Sequence, residues 1–291
     1  MKILKTVQSE DCAVKHLLSL NDGSTVEALY MYDKAFKLTY HSTVCVSSQV
    51  GCTVGCRFCA TGRQGFLRNL NADEILGEVL LCDSSRKKAG FIPMDAVVFA
   101  GMGEPLLNYA NVLSAIDLIQ RDLGITHFEL ATVGIVPRLY DLIADLRGHE
   151  LKLRLNLSLH GATDEKRLHL IPYTRKYGLS DIVRAAADFA DATGTTARIR
   201  YMLIKGFNDT DADIDALTSL LKGKPFKLVL SAYNDNQIEG LAPTGDLDLL
   251  RFYNKIKDNC TCDLFHNFGS GVLGGCGQLR QLDNDNQEFS A

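Results

Sequence analysis

An alternation constrains this chain more than any single residue does. Short apolar runs of strand length are each followed by a longer stretch of helical period. MDAVVFA (94–100) precedes 111–120, FELATV (128–133) precedes 138–146, and LRLNLSL (153–159) precedes 180–192. ARIRYMLI (197–204) precedes 211–221, and FKLVLSA (226–232) precedes 247–257. With 45–48 and 72–81 as the first pair, about six βα units result. Successive strands joined by right-handed helical crossovers run parallel, with helices outside. The fold class is therefore α/β, as an open sheet or an incomplete barrel. Ahead of the array, VEALYMYD (26–33) and AFKLTYHSTV (35–44) predict a small antiparallel hairpin. Ligands in parallel α/β folds collect at the carboxyl ends of strands, so a motif that directly follows a strand gains weight.

The chain has 291 residues, 46% of them hydrophobic, enough for a large core and too apolar for disorder. No apolar run approaches the ~18–20 residues that span a bilayer. The start, MKILKTVQSEDC, lacks an apolar signal core, so a cytoplasmic protein with no membrane partner is expected. The net charge of −4 shows no global basic excess of the kind phosphate binding favours. The local basic groups, Arg63 with Arg68, 86–88, and Arg175 with Lys176, read as solvated faces.

Nine cysteines are present, and four fall in CVSSQVGCTVGCRFCATG (45–62). In a reducing compartment such clustering reads as metal or redox chemistry. Cys52, Cys56 and Cys59 have C-x3-C-x2-C spacing in a glycine-containing loop after the first strand. A structural zinc would want a fourth ligand, which Cys45 could supply, and usually two separated pairs. A dithiol needs only Cys56 and Cys59 and leaves Cys52 without a role. A [4Fe–4S] cube held by three thiolates keeps one iron open for a ligand.

The three-cysteine motif, with Phe58 before its last cysteine and a βα array behind it, resembles the radical S-adenosylmethionine (SAM) superfamily. CVSSQVGC, GFLRNL (65–70), GMGEPLLN (101–108), SLH (158–160) and CGQL (276–279) occur in the order seen in the RlmN/Cfr family, whose members methylate an adenine carbon of RNA. The resemblance runs from about Glu27 to Leu279. It implies a partial (β/α)6 barrel over 41–291 with a short hairpin extension over 1–40. It also implies a [4Fe–4S] cluster on Cys52, Cys56 and Cys59, with SAM on its open iron.

By the same resemblance, Gly103 and Glu104 meet the methionine end of SAM, and Ser158, Leu159, His160 and Asn234 complete the pocket. Cys276 carries a methyl group, Cys45 resolves it by forming a disulfide, and Glu27 accepts the ring proton. An electron donor such as flavodoxin or ferredoxin is implied. Two departures lie on the substrate side. Only 44 residues precede Cys45, fewer than the family places there, and HNFGSGVLGG (266–275) lacks the family's arginine and acid. LATVG (130–134) has Ala131 where the family has serine. The same chemistry on another sp2 carbon, in a small molecule or peptide, is a second reading. A cluster-bearing redox or sensing protein is a third.

Overall fold

The structure, a computed structural model, describes residues 1–10, 13–32, 42–146, 151–265 and 278–280. Its strands are β1 (Lys2–Gln8), β2 (Ala13–Ser19), β3 (Thr25–Tyr32), β4 (Ser42–Val46), β5 (Gln49–Gly51), β6 (Phe66–Asn69), β7 (Ala96–Phe99), β8 (His127–Thr132), β9 (Lys152–Ser158), β10 (Ala197–Leu203), β11 (Phe226–Ala232) and β12 (Cys262–Leu264). Its helices are α1 (Ala60–Arg63), α2 (Ala72–Ala89), α3 (Tyr109–Leu123), α4 (Val136–Asp145), α5 (Asp164–Leu170), α6 (Leu179–Thr193), α7 (Asp211–Leu221) and α8 (Asp246–Ile256).

Ten strands form one sheet in the order β1-β2-β3-β4-β7-β8-β9-β10-β11-β12. From β4 onward every neighbour is parallel. The first four strands pair antiparallel. The order has two ends, so the barrel is incomplete. The antiparallel extension is larger than one hairpin: β1 and β2 add to β3, and the expected second hairpin strand supplies β4, the first strand of the parallel array. The rest of that hairpin falls on 33–41, outside the described residues.

The two faces of the sheet differ chemically. On β10, Ala197, Ile199, Tyr201 and Leu203 are buried against the helices. Arg198, Arg200 and Met202 alternate with them on the inner face and are only half-buried. A parallel strand covered on both sides reads as a continuous apolar run, so this alternation marks an inner face that is not packed solid. Helix ends are set locally. Asn71 and Glu74 form a capping box on α2, and Thr210 and Asp213 form another on α7.

Candidate active site

The cysteine loop leaves the sheet after β4 and is framed by the two-stranded ribbon β5–β6. Cys52 N–H donates to Gly65 O at 2.8 Å, and Cys59 N–H to Cys56 O at 3.1 Å. Gly51 has φ +78°, and a Cβ there would stand 1.9 Å from Gly65 O, so only glycine lets the ribbon close on the loop. Arg57 N–H donates to Leu170 O at 2.9 Å, which ties the loop to the end of α5. Burial pushes the Cys52 thiol up to about 12. Cys56 is raised well above the usual thiol range by burial, and by Cys59 and Cys52 beside it. Cys52 and Cys56 are thus hard to ionise on their own, a condition that a cationic centre would reverse.

The residues between Cys45 and Cys52 brace a second loop. Ser48 and Gln49 donate their N–H groups to Met102 O at 2.7 and 3.2 Å. Ser47 Oγ accepts from Met102 N at 3.1 Å, and Gln49 Oε1 accepts from Glu104 N at 2.9 Å. Asn108 Nδ2 donates to Ser48 O at 2.8 Å and to Leu70 O at 2.7 Å. A Cβ on Gly101 would lie 2.6 Å from Val46 O, and one on Gly103 would lie 2.6 Å from Gln49 Cβ. GMGEPLLN and CVSSQ are thus two halves of one lock. Glu104 is 3% exposed and accepts from Leu106 N at 3.1 Å and Val133 N at 2.9 Å. Burial raises it to about 7 against the hydrogen bonds that lower it.

His160 follows β9 with φ 55°, a left-handed conformation that only a few per cent of non-glycine residues adopt. Its Nδ1 accepts from Met202 N at 3.1 Å, which leaves Nε2 as the protonated donor. Burial, with Arg167 and Arg200 nearby, holds it down to about 3, so the ring is neutral. The ring meets Phe58 edge-on at 5.1 Å, so SLH touches the cysteine loop. Leu159 is buried, and its N–H donates to Arg200 O at 3.0 Å. Ser158 ends β9 half-buried, and its carbonyl accepts from Arg167 Nη2 at 3.2 Å. Asn234 is half-buried just after β11.

Cys45 lies on β4, away from the loop. It is a free thiol, 8% exposed, packed with Ala13 and Leu29. The register pairs it with Leu29 and Val98. Glu27 stands two residues from Leu29 on β3 and so shares its face. A surface acid would be the ordinary reading of VEALYM, yet Glu27 is 3% exposed, and Lys15 Nζ meets its Oε2 at 2.8 Å. Its Oε1 accepts from Arg280 N at 2.7 Å. Arg280 also reaches Thr25 Oγ1 and Gln64 Oε1, both at 3.1 Å. Gln278 Nε2 donates to Asn236 Oδ1, and Asn236 Nδ2 donates to Phe58 O at 2.6 Å. The three residues after Gly277 are therefore fixed to Glu27 and to the cysteine loop. Cys276 itself lies outside the described residues, as do 266–275.

The sequence alone missed Lys15, Asn236, Arg280 and two further groups. Arg167 is a buried cation donating to Thr174 Oγ1 at 2.7 Å and Val133 O at 2.5 Å, and its charge acts on Cys56 and Glu104. Glu78 is fully buried, accepts from Ser47 N at 2.8 Å, and is raised well above the usual carboxylate range by burial. Each belongs to a helix whose pattern gives no hint of a distant partner.

Residues 46–217 match the radical SAM superfamily profile. The chain is 39% identical over 287 residues to the probable dual-specificity RNA methyltransferase RlmN of Dictyoglomus thermophilum, covering 97% of this chain and 79% of that protein. It is 35% identical over 282 residues to the dual-specificity RNA methyltransferase RlmN 2 of Myxococcus xanthus, covering 94% of this chain and 72% of that one. A crystal structure of a radical SAM methyltransferase from Sphaerobacter thermophilus superposes with a TM-score of 0.87 at 29% identity, covering 95% of this chain and 80% of that one.

Proposed function

Because the chain belongs to the RlmN family of radical SAM methyltransferases, we propose that it methylates a ring carbon of adenine in RNA, C2 or C8, through a methylated cysteine. Cys52, Cys56 and Cys59 hold the [4Fe–4S] cluster. Among the described residues no three His, Cys, Asp or Glu side chains are placed to hold one metal ion. The thiolates of a cube need no common centre, because each binds a different iron. Held there and reduced, the cluster would supply the electron for reductive cleavage of SAM.

The protein's own residues divide the remaining work. An aromatic ring carbon is a poor nucleophile, so the thiolate of Cys276 takes up the methyl group first and presents it to the ring. Glu27 takes the proton that the ring carbon loses. Cys45 attacks the sulfur of Cys276, frees the methylated adenine and leaves a transient disulfide. Gly103 and Glu104 receive the methionine ammonium end. Glu104 keeps lone pairs beyond its two backbone bonds. Ser158, Leu159, His160 and Asn234 line the pocket, with the neutral His160 offering its Nε2–H. Small electron carriers such as flavodoxin or ferredoxin are the reductant, and the chemistry of free thiols and RNA fits the cytoplasm. Among the described residues no helix is long and apolar enough to cross a membrane.

The observation that carries this reading is the docking of 278–280. It joins the segment after Cys276 to Glu27 on one side and to the cysteine loop on the other. The test is anaerobic cluster reconstitution followed by methyl-labelled SAM and RNA. A label on the Cys276 peptide and on adenine is expected, and an active preparation that labels no cysteine would sink the mechanism.

A further inference from the structure

Helix α5 is short, yet it turns one of its largest side chains inward. Arg167 is 1% exposed and ranks among the biggest fully buried side chains of the molecule. A Cβ on Gly161 would stand 2.5 Å from Arg167 N, so a glycine there lets the SLH turn and α5 press together. At the end of the helix, Leu170 O accepts from Arg57 N at 2.9 Å. One helix thus touches both the end of the pocket strand β9 and the cysteine loop.

Every bond that the guanidinium makes ends on a neutral oxygen. Nη1 donates to Thr174 Oγ1 at 2.7 Å, and Nη2 donates to Val133 O at 2.5 Å and Ser158 O at 3.2 Å. Nε is buried and has no partner among the described residues. Burial lowers the group to about 10, which leaves it cationic at neutral pH. A buried charge is costly unless an anion faces it. The two carboxylates within range of it are engaged elsewhere. Asp164 is exposed and accepts from Leu179 N at 2.7 Å. Glu104 accepts from Leu106 N and Val133 N, and burial raises it to about 7, so at neutral pH it carries only part of its charge. Of the ionisable groups around Arg167, Cys56 acts on it most strongly.

We propose that Arg167 is the buried counter-charge of the [4Fe–4S] cluster and raises its reduction potential. The inference rests on the cluster reading above. The thiolates of Cys52, Cys56 and Cys59 would bring more negative charge than an iron–sulfur core offsets, and reduction adds one electron more. A fixed cation therefore stabilises the reduced centre more than the oxidised one, and salt screens it little because it lies away from solvent. The same guanidinium grips Val133, which follows β8, and Ser158, which ends β9, so its charge is held in place.

The experiment is an anaerobic redox titration of the reconstituted protein without SAM, read by electron paramagnetic resonance of the reduced cluster. Arg167→Gln keeps amide donors and loses the charge. At the wild-type midpoint its ratio of reduced to oxidised cluster should fall about tenfold, a shift of about 59 mV for one electron. Arg167→Lys keeps the charge and should stay within about twofold of the wild type. The sign separates charge from packing, because a loosened site admits water, which favours the more highly charged reduced state and raises the potential. Arg167→Met fills the volume of the stem with no polar group to bury, and it must shift as the glutamine variant does. An unchanged or higher potential in the neutral variants, or an equal fall in the lysine variant, overturns the proposal. If the neutral variants take up no iron while the lysine variant does, the charge is required for the cluster itself and the proposal stands. If none of the three takes up iron, the residue serves shape alone and the proposal falls. A wild-type protein that binds no iron and sulfide would sink the cluster reading, whereas a normal cluster whose potential ignores Arg167→Gln sinks only this inference.

Discussion

The inner face of the sheet is made of two materials. Across β2, β3, β4 and β7 it is dry: Ala13, Leu29 and Cys45 pack together, with Val98 and Ala100 against them, and its charges are the buried Lys15–Glu27 pair. Across β8 to β11 it is ionic, with Glu129, Arg154, Asn156, Arg198 and Arg200 in one bonded network. The dry half shields Cys45 from water, which suits the thiol exchange proposed for it. The ionic half ties β8, β9 and β10 together by side-chain bonds. One sheet serves both because alternation lets each strand choose its inner residues independently of the helix-packed ones.

Cys45→Ala gives the largest effect on that contrast. Iron and sulfide content should stay at the wild-type level, because Cys45 is off the loop. Repeated turnover should disappear, and the protein should remain covalently joined to its RNA on a denaturing gel. Loss of iron in this variant would place Cys45 among the ligands and erase the division.

Lys15→Ala comes next. It strands the Glu27 carboxylate in the dry half and should cost about 3–5 kcal/mol in urea unfolding. A much smaller loss would mean that water reaches this half.

Glu104 lies at the seam, on the turn between β7 and α3. Its folded pKa of about 7 stands above the ordinary 4.5, so the folded state holds the proton more tightly than the unfolded one. That acid therefore penalises folding progressively as pH rises from about 4.5 to 7, by an amount of order 3 kcal/mol for the unliganded protein. Urea midpoints measured through this window should fall for the wild type, and Glu104→Gln should lack that decline.

Arg154→Gln gives the smallest change, about 1 kcal/mol, because Glu129 keeps Arg198 and Asn156. A loss as large as that of Lys15→Ala would show the ionic half to be as desolvated as the dry one.

Much of this architecture was legible because it is local. Helix α7 runs over Asp211–Leu221, the expected span, since Thr210 and Asp213 cap it from within the sequence. The cysteine loop was legible from spacing and the glycines around it. What stayed hidden depends on distant partners. In AVKHLLS, Lys15 and His16 interrupt the apolar pattern, so β2 does not read as an interior strand. Lys15 can be buried only because Glu27 arrives beside it from β3. Asn236, two residues beyond the expected pocket residue Asn234, bridges Phe58 and Gln278. No periodicity distinguishes the two. The basic groups singled out in the sequence are near neighbours along the chain. The cations of β9 to β11 stand on separate strands, and only the register gathers them.

The lock between CVSSQ and GMGEPLLN has a consequence for the lifetime of the enzyme. Its bonds run through Ser47, Ser48, Gln49, Met102, Glu104 and Asn108, and none of them passes through a cysteine sulfur. Iron–sulfur centres are perishable in air, whereas the bonds of this lock use no metal ligand. If the cluster proposed above is lost to oxygen, these bonds remain, so iron and sulfide should be resupplied to a loop that is still braced.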